Sequence, residues 1–189
     1  QAAEQSIIGV KQVADIVLAM KEFSHPTPRD SAPVDLNRVL KRCSVVCKSE
    51  WRQVAELVCD FDENLPSVIG QEGALNQAIL NLIVNAAHAI QYKGPNKGII
   101  VLRTGFDKEN VRLEIEDSGA GIPENIRDQI FEPFFTTKEA GRGTGQGLAL
   151  VHDIVVNKHG GRIELESTIG VGTRLIVMLP IEKQNLGAV

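Results

Sequence analysis

Asn81, Asn85 and His88 are spaced by four and three residues in a run that is otherwise almost wholly apolar: Leu75, Ile79, Leu80, Leu82, Ile83, Val84, Ala86, Ala87, Ile90. On a helix the three side chains form one polar stripe, which Gln77 extends by another turn. Burying an amide without a partner costs on the order of 1–3 kcal/mol, so the stripe needs something to bind. Two glycine-rich loops follow, Asp117-Ser118-Gly119-Ala120-Gly121 and Gly141-Arg142-Gly143-Thr144-Gly145-Gln146-Gly147. Together they suggest that the partners are a metal ion and a nucleotide.

Each group has two readings. Mg2+ takes few ligands from protein and the rest from water and phosphates, and an amide oxygen held by a packed helix suits it, so Asn85 is a metal ligand or a buried amide tied to backbone. His88, one turn on, reaches a phosphate oxygen or is an exposed helix histidine; Asn81 faces phosphates or a water. Asp117 ends the strand-like run Val111–Glu116 and enters Ser118-Gly119-Ala120-Gly121-Ile122-Pro123. An ionised carboxylate only accepts, so it can take a hydrogen bond from the exocyclic amine of adenine and choose adenine over guanine. Gly119 and Gly121 would let the backbone approach a flat ring, and an Asx turn followed by turn glycines is the alternative.

In the second loop glycine recurs at every second residue before Leu148-Ala149-Leu150-Val151 opens an apolar-faced helix. Free amides at a helix start suit phosphate. Neither a P-loop nor a dinucleotide fingerprint fits the spacing. The loop is a lid over nucleotide or a mobile surface loop. Between the glycine loops, Phe131-Glu132-Pro133-Phe134-Phe135-Thr136-Thr137-Lys138 holds half of the six phenylalanines. Phe134 and Phe135 pin the base of a lid or anchor the core. Lys138 and Arg142 are the cations best placed to meet phosphates, or are solvated.

The elements that must position these groups follow from periodicity. Gln5–Phe23 carries Val10, Val13, Val17 and Met20 on one helical stripe, and Ser24–Pro33, with three prolines, is a linker. A helix is expected from Asp35 to about Arg52, a strand over Ala55–Phe61, and the stripe helix over about Gln71–Gln91. Val68-Ile69 is too short to assign. Ile99–Phe106 and Val111–Glu116 alternate as paired antiparallel strands. A short helix starts after Pro123, another runs from about Gly145 to Lys158 and stops at Gly160-Gly161, and Arg162–Ser167 with Thr173–Leu179 form a hairpin about Gly170-Val171-Gly172. The tail after Pro180 is expected to fray. The sum is a two-layer α/β sandwich with a mixed, mostly antiparallel sheet, helices on one face and an N-terminal helical arm.

With 189 residues, 43% of them hydrophobic, the chain is long enough for one ordinary domain plus an appendage; only 4% are aromatic, so the core is aliphatic. A net charge of −4 without a basic run gives no ground for a nucleic-acid or anionic-membrane partner. The apolar stretches are too short to span a bilayer. Cys43, Cys47 and Cys59 have no zinc spacing and suit reduced thiols in a cytoplasmic setting. The chain opens inside a helix, which suggests a piece of something longer.

In this order the boxes resemble the catalytic ATP-binding domain of sensor histidine kinases, a fold shared with DNA gyrase, MutL and certain heat-shock chaperones. Asn81–Ile90 resembles the family's N box, Asp117–Gly121 its first glycine box, Phe131–Lys138 its F box, Gly143–Leu148 its second glycine box, and Gly170–Leu175, with Thr173, a final glycine-threonine segment. The likeness covers about Pro33–Pro180, and the Phe-Ser-His-Pro linker and F-box wording look most like nitrogen-regulation-type kinases. The resemblance implies that Asn85 ligates Mg2+ and that Asn81 and His88 attend the phosphates. It implies that Asp117 reads adenine, that the loop Phe135–Gly147, with Lys138, Arg142, Gly143, Thr144 and Gly145, is the ATP lid, and that Gly119, Gly121, Ile122, Leu148 and Thr173 also bind the nucleotide. It further implies a dimerising hairpin whose second helix is residues 1–24, a linker over 25–33, the catalytic domain over 34–181 and a tail over 182–189. The partners implied are ATP, the chain's own histidine-bearing hairpin, a response regulator and a second copy in the full-length protein, which is the cytoplasmic part of a sensor, membrane-anchored or not. Where ATPases of this fold carry a water-activating glutamate this chain has Asn81, and an amide is no general base. No histidine here fits the phosphoacceptor, and Gln146 stands where an aliphatic residue is common. The alternatives are a gyrase-type ATPase, an ATP-dependent interaction module without catalysis, and a related anti-sigma kinase, against which the N-terminal helix weighs.

Overall fold

The structure, a computed structural model, describes residues 31–137 and 144–181. The expected helix Gln5–Phe23, most of the linker, Lys138, Arg142, Gly143 and the tail lie outside those residues.

Strand β1 (Ala32–Val34) takes up the end of the expected linker and pairs antiparallel with β3 (Val68–Gly70) in a small ribbon, Ala32 opposite Gly70. Helix α1 (Leu36–Val46) is capped by Asp35, whose carboxylate accepts from Arg38 N–H at 3.0 Å, and buries Leu36, Val39, Leu40 and Cys43. The single helix expected to reach Arg52 breaks at Cys47, and α2 (Lys48–Trp51) is one further turn. The Trp51 indole N–H takes the Ser44 carbonyl at 2.9 Å, a group that a continuing helix would offer to residue 48.

Strands β2 (Ala55–Asp60), β4 (Gly98–Phe106), β5 (Asn110–Asp117), β6 (Arg162–Thr168) and β7 (Gly172–Pro180) form one sheet in the order β2-β4-β5-β7-β6. Only β2 and β4 are parallel, so the sheet is mixed and mostly antiparallel as expected. Helix α3 (Glu72–Lys93) and helix α4 (Gly147–His152), which runs on into a π turn over Asp153–Lys158, pack with α1 on one face. A single 3-10 turn, Glu124–Ile126, follows Pro123.

Side chains alternate across a strand, so one parity meets the helices. Ile100 and Leu102 of β4, Val111, Leu113 and Ile115 of β5, and Leu175, Val177 and Leu179 of β7 are buried against Leu75, Ile79, Leu82, Ile83, Ala86 and Ile90 of α3. The opposite parity is charged. Arg103 pairs with Glu116 at 2.5 Å and Glu114 at 3.8 Å, Arg112 with Glu114 at 3.0 Å, and Arg174 with Glu166 at 3.4 Å. The domain is therefore a two-layer sandwich with one face open.

Candidate nucleotide site

Helix α3 buries Leu75, Ala78, Ile79, Leu82, Ile83, Ala86, Ala87 and Ile90, which leaves Gln77, Asn81, Asn85 and His88 half-buried along one flank. The start of α4 lies against that flank. A Cβ built on Gly147 would stand 3.6 Å from Asn85 Nδ2 and 3.9 Å from Asn81 Cγ. Gln77 and His88 have interaction partners. Asn81 and Asn85 make no hydrogen bond to another described residue, so the pair keeps its capacity for a ligand.

Asp117 shares the parity of Val111, Leu113 and Ile115, so the alternation that builds the core also carries its carboxylate to the inner face at the end of β5. It is 8% exposed. Its Oδ1 accepts from Gly119 N–H at 2.7 Å, the Asx-type contact, and Thr173 stands opposite it in the β5–β7 ladder. Burial pushes its pKa up to about 6, while Gly119 N–H and Lys93 pull the other way. An ionised carboxylate has about four acceptor positions, so Asp117 keeps acceptor capacity for a ligand.

The glycines of this loop allow close approaches of backbone to backbone. A Cβ on Gly119 would lie 2.6 Å from the Ala89 carbonyl carbon of α3, beside the bond from Ala120 N–H to Ala89 O at 3.1 Å. Gly121 has φ +75°, and its Cβ would lie 2.2 Å from Thr168 O. The missing side chains make room for the protein's own backbone. Gly172 does the same from the other side, where a Cβ would fall 1.9 Å from Asp117 O.

Three residues not singled out from the sequence, Ser167, Arg127 and Lys93, help to hold this loop. Ser167 Oγ accepts from Ile122 N–H at 2.8 Å and meets Thr173 Oγ1 at 2.9 Å. Arg127 donates to Ile122 O at 3.4 Å and to Ser167 O. Lys93 Nζ donates to Ser118 O at 2.8 Å. Gly172, in the expected hairpin, completes the set. All act across long separations, and no local pattern marks them beyond the glycine-threonine pair.

In the F-box segment, Phe131 packs on the core and against the His152 ring at 5.8 Å. Phe134 is 73% exposed, so it is no core anchor. Its backbone is what joins the two loops: at φ 67° its N–H donates to Gly145 O at 3.0 Å, and Gly145, at φ +66°, has no Cβ to strike the Phe134 carbonyl. A left-handed aromatic residue is strained and persists only where its surroundings hold it. Phe135 and Leu148 are half-buried and Thr144 is exposed. Asn81, Asn85 and Gly147 are thus brought together, and Asp117 with Gly119, Gly121, Ile122 and Thr173 forms a second cluster joined to the same helix near its C-terminal end.

The fold that carries these clusters belongs to a known family. Residues 70–183 match the family of histidine kinase-, DNA gyrase B-, and HSP90-like ATPases, and the chain belongs to that family. Within it the chain is similar to sensor kinases. It is 34% identical over 193 residues to sensor kinase CckA of Brucella abortus (strain 2308), a match covering 92% of this chain and 20% of that protein. It is 31% identical over 189 residues to the sensory histidine kinase/phosphatase NtrB of Rhodobacter capsulatus, covering 93% of this chain and 51% of that one. The catalytic domain of histidine kinase ThkA matches with a TM-score of 0.70 at 30% identity, over 80% of this chain and 95% of that domain. ThkA in complex with the response regulator protein TrrA matches with a TM-score of 0.72 at 25% identity, over 91% and 48%. The chain thus spans about a fifth to a half of the length of these curated relatives. Among the described residues no helix is long and apolar enough to cross a membrane.

Proposed function

We propose that the chain is the ATP-binding catalytic domain of a sensor histidine kinase, which moves the γ-phosphoryl of Mg-ATP to a histidine on a helical hairpin outside it, for relay to a response-regulator aspartate. The observation that carries this is Asp117: a buried carboxylate at the end of β5, held by Gly119 N–H with acceptor capacity to spare, beside the helix that presents the amides of Asn81 and Asn85 to Gly147. Asp117 reads the adenine amine, with Gly119, Gly121, Ile122 and Thr173 shaping its surroundings. Asn85 supplies one amide oxygen for Mg2+, and Asn81 and His88 serve the phosphates. Phe135, Lys138, Arg142, Gly143, Thr144, Gly145, Gly147 and Leu148 are assigned to the cover over the nucleotide.

A single rigid amide oxygen fits Mg2+, which keeps most of its ligands from water and phosphate. Among the described residues no three His, Cys, Asp or Glu side chains gather into an all-protein cage. When bound, the ion would neutralise charge on the phosphates, and the chain's own residues would contribute positioning and charge complementarity.

Residues 1–24 are proposed as the second helix of the dimerising hairpin, 25–33 as linker, 34–181 as catalytic domain and 182–189 as tail, within a homodimeric and cytoplasmic kinase. The similarity to NtrB supports the finer nitrogen-regulation-type reading, although CckA is matched as well. The ThkA–TrrA likeness supports a response regulator as partner. Asn81 disfavours a gyrase-type ATPase, because an amide cannot take the proton of an attacking water. Mixing the protein with a histidine-bearing hairpin and radiolabelled ATP is expected to give acid-labile phosphorylation. Steady phosphate release without an acceptor, abolished by Asn81→Ala, would support the ATPase instead, and nucleotide binding without transfer would support an interaction module.

A further inference from the structure

Helix α4 and its π turn lie antiparallel along α3, and two contacts set their register. At one end Gly147 faces Asn81 and Asn85. At the other His159, which follows the π turn, meets the start of α3: its Nε2 accepts from Gln71 N–H at 3.0 Å, and its Nδ1 donates to Ile154 O at 2.7 Å. Gly147 and His159 are twelve residues apart, while Gln71 lies ten residues before Asn81 and fourteen before Asn85, so the two spans match. Gln71 is the N-cap of α3 and makes no side-chain capping bond, so the imidazole supplies an acceptor that the helix start lacks. The ring fits because Gly70 has no side chain: a Cβ there would stand 2.6 Å from His159 Cδ2 and Nε2. Both ring nitrogens are engaged in one arrangement, and neither bond stabilises the Asp117 loop. That loop is tied separately to the far end of α3, through Ala120 to Ala89 and Lys93 to Ser118.

We propose that His159 is a positioning residue: by locking the axial register of α4 on α3 it sets the distance between Gly147 and the asparagine pair, and so governs the phosphate-and-metal end of the nucleotide site while leaving the adenine end alone. A slip of one helical turn is about 5.4 Å, more than the width of a ligand contact. The inference rests on the nucleotide site proposed above.

The test compares His159→Phe, which keeps a ring and loses both bonds, with His159→Gln, whose amide can still offer an acceptor to Gln71 N–H. Gly70→Ala, which displaces the ring without altering it, is the independent variant. Affinity is measured on the whole chain for a non-hydrolysable Mg-ATP analogue by calorimetry and for adenosine by NMR titration. His159→Phe and Gly70→Ala are expected to weaken the Mg-ATP analogue about tenfold or more, to change adenosine less than about twofold, and His159→Gln to recover most of the loss. Equal losses for both ligands, or no loss for either, in folded variants would overturn the positioning role. A wild-type chain that binds adenosine and the Mg-ATP analogue equally, or neither, would instead remove the site on which the inference stands.

Discussion

Burial raises the Asp117 carboxyl from 3.8 to about 6, and this shift ties stability and ligand binding to pH in opposite directions. The folded state holds the proton more tightly than the unfolded chain. Stability from this group is therefore complete below about pH 4, is lost as pH rises toward 6, and is flat above that. At neutral pH the ionised group costs the ligand-free fold up to about 3 kcal/mol. Asp117→Asn removes that charge and keeps an oxygen for Gly119 N–H, so denaturation at pH 7 is expected to show equal or higher stability and a loss of the pH 4–6 slope. The same variant presents its NH2 where the adenine amine needs an acceptor, so ATP affinity measured by calorimetry is expected to fall at least about tenfold. In the wild-type protein ATP affinity is expected to fall as pH drops through about 6, because the protonated carboxyl loses its charge. A short polar motif at a strand end made Asp117 readable from the sequence. Ser167, Arg127 and Lys93 were not readable, since their partners lie 25 to 45 residues away.

Among the elements, glycine substitutions separate packing from chain entropy. Gly73 lies in the first turn of α3 with nothing within 4 Å of a built Cβ, so Gly73→Ala is expected to stabilise by about 0.5–1 kcal/mol. Gly172→Ala would drive a methyl into Asp117 O and is expected to cost more than about 2 kcal/mol and to abolish ATP binding. Chemical denaturation of the two variants beside wild type checks both signs. Helix α3 was legible because twenty-two residues repeat one apolar face, and β4, β5 and β7 because eight or nine residues alternate. The β1–β3 ribbon was not, because three residues carry no period and the partner is distant. The break at Cys47 was hidden for a similar reason: the Trp51 indole, not a proline or glycine, ends α1.

Across the whole molecule, the helical layer carries the proposed chemistry and the open sheet face carries charge. Asp60, Arg103, Glu116, Arg174 and Glu166 join all five strands by ion pairs of 2.5–3.9 Å. Most of these side chains are over a third exposed, so each pair is worth no more than about 1 kcal/mol and is screened by salt. Arg174→Ala is accordingly expected to shift the thermal midpoint by only a few degrees and to leave ATP affinity unchanged, which separates the two faces. The central claim is that Asp117 and Asn85 grip opposite ends of one Mg-ATP. Calorimetric titration of ATP and GTP, with and without Mg2+, into wild type, Asp117→Asn and Asn85→Ala tests it most directly. The expected result is ATP-selective, Mg2+-enhanced binding, with selectivity lost in Asp117→Asn and the Mg2+ enhancement lost in Asn85→Ala. Binding that is equal for ATP and GTP, or indifferent to both substitutions, would contradict it.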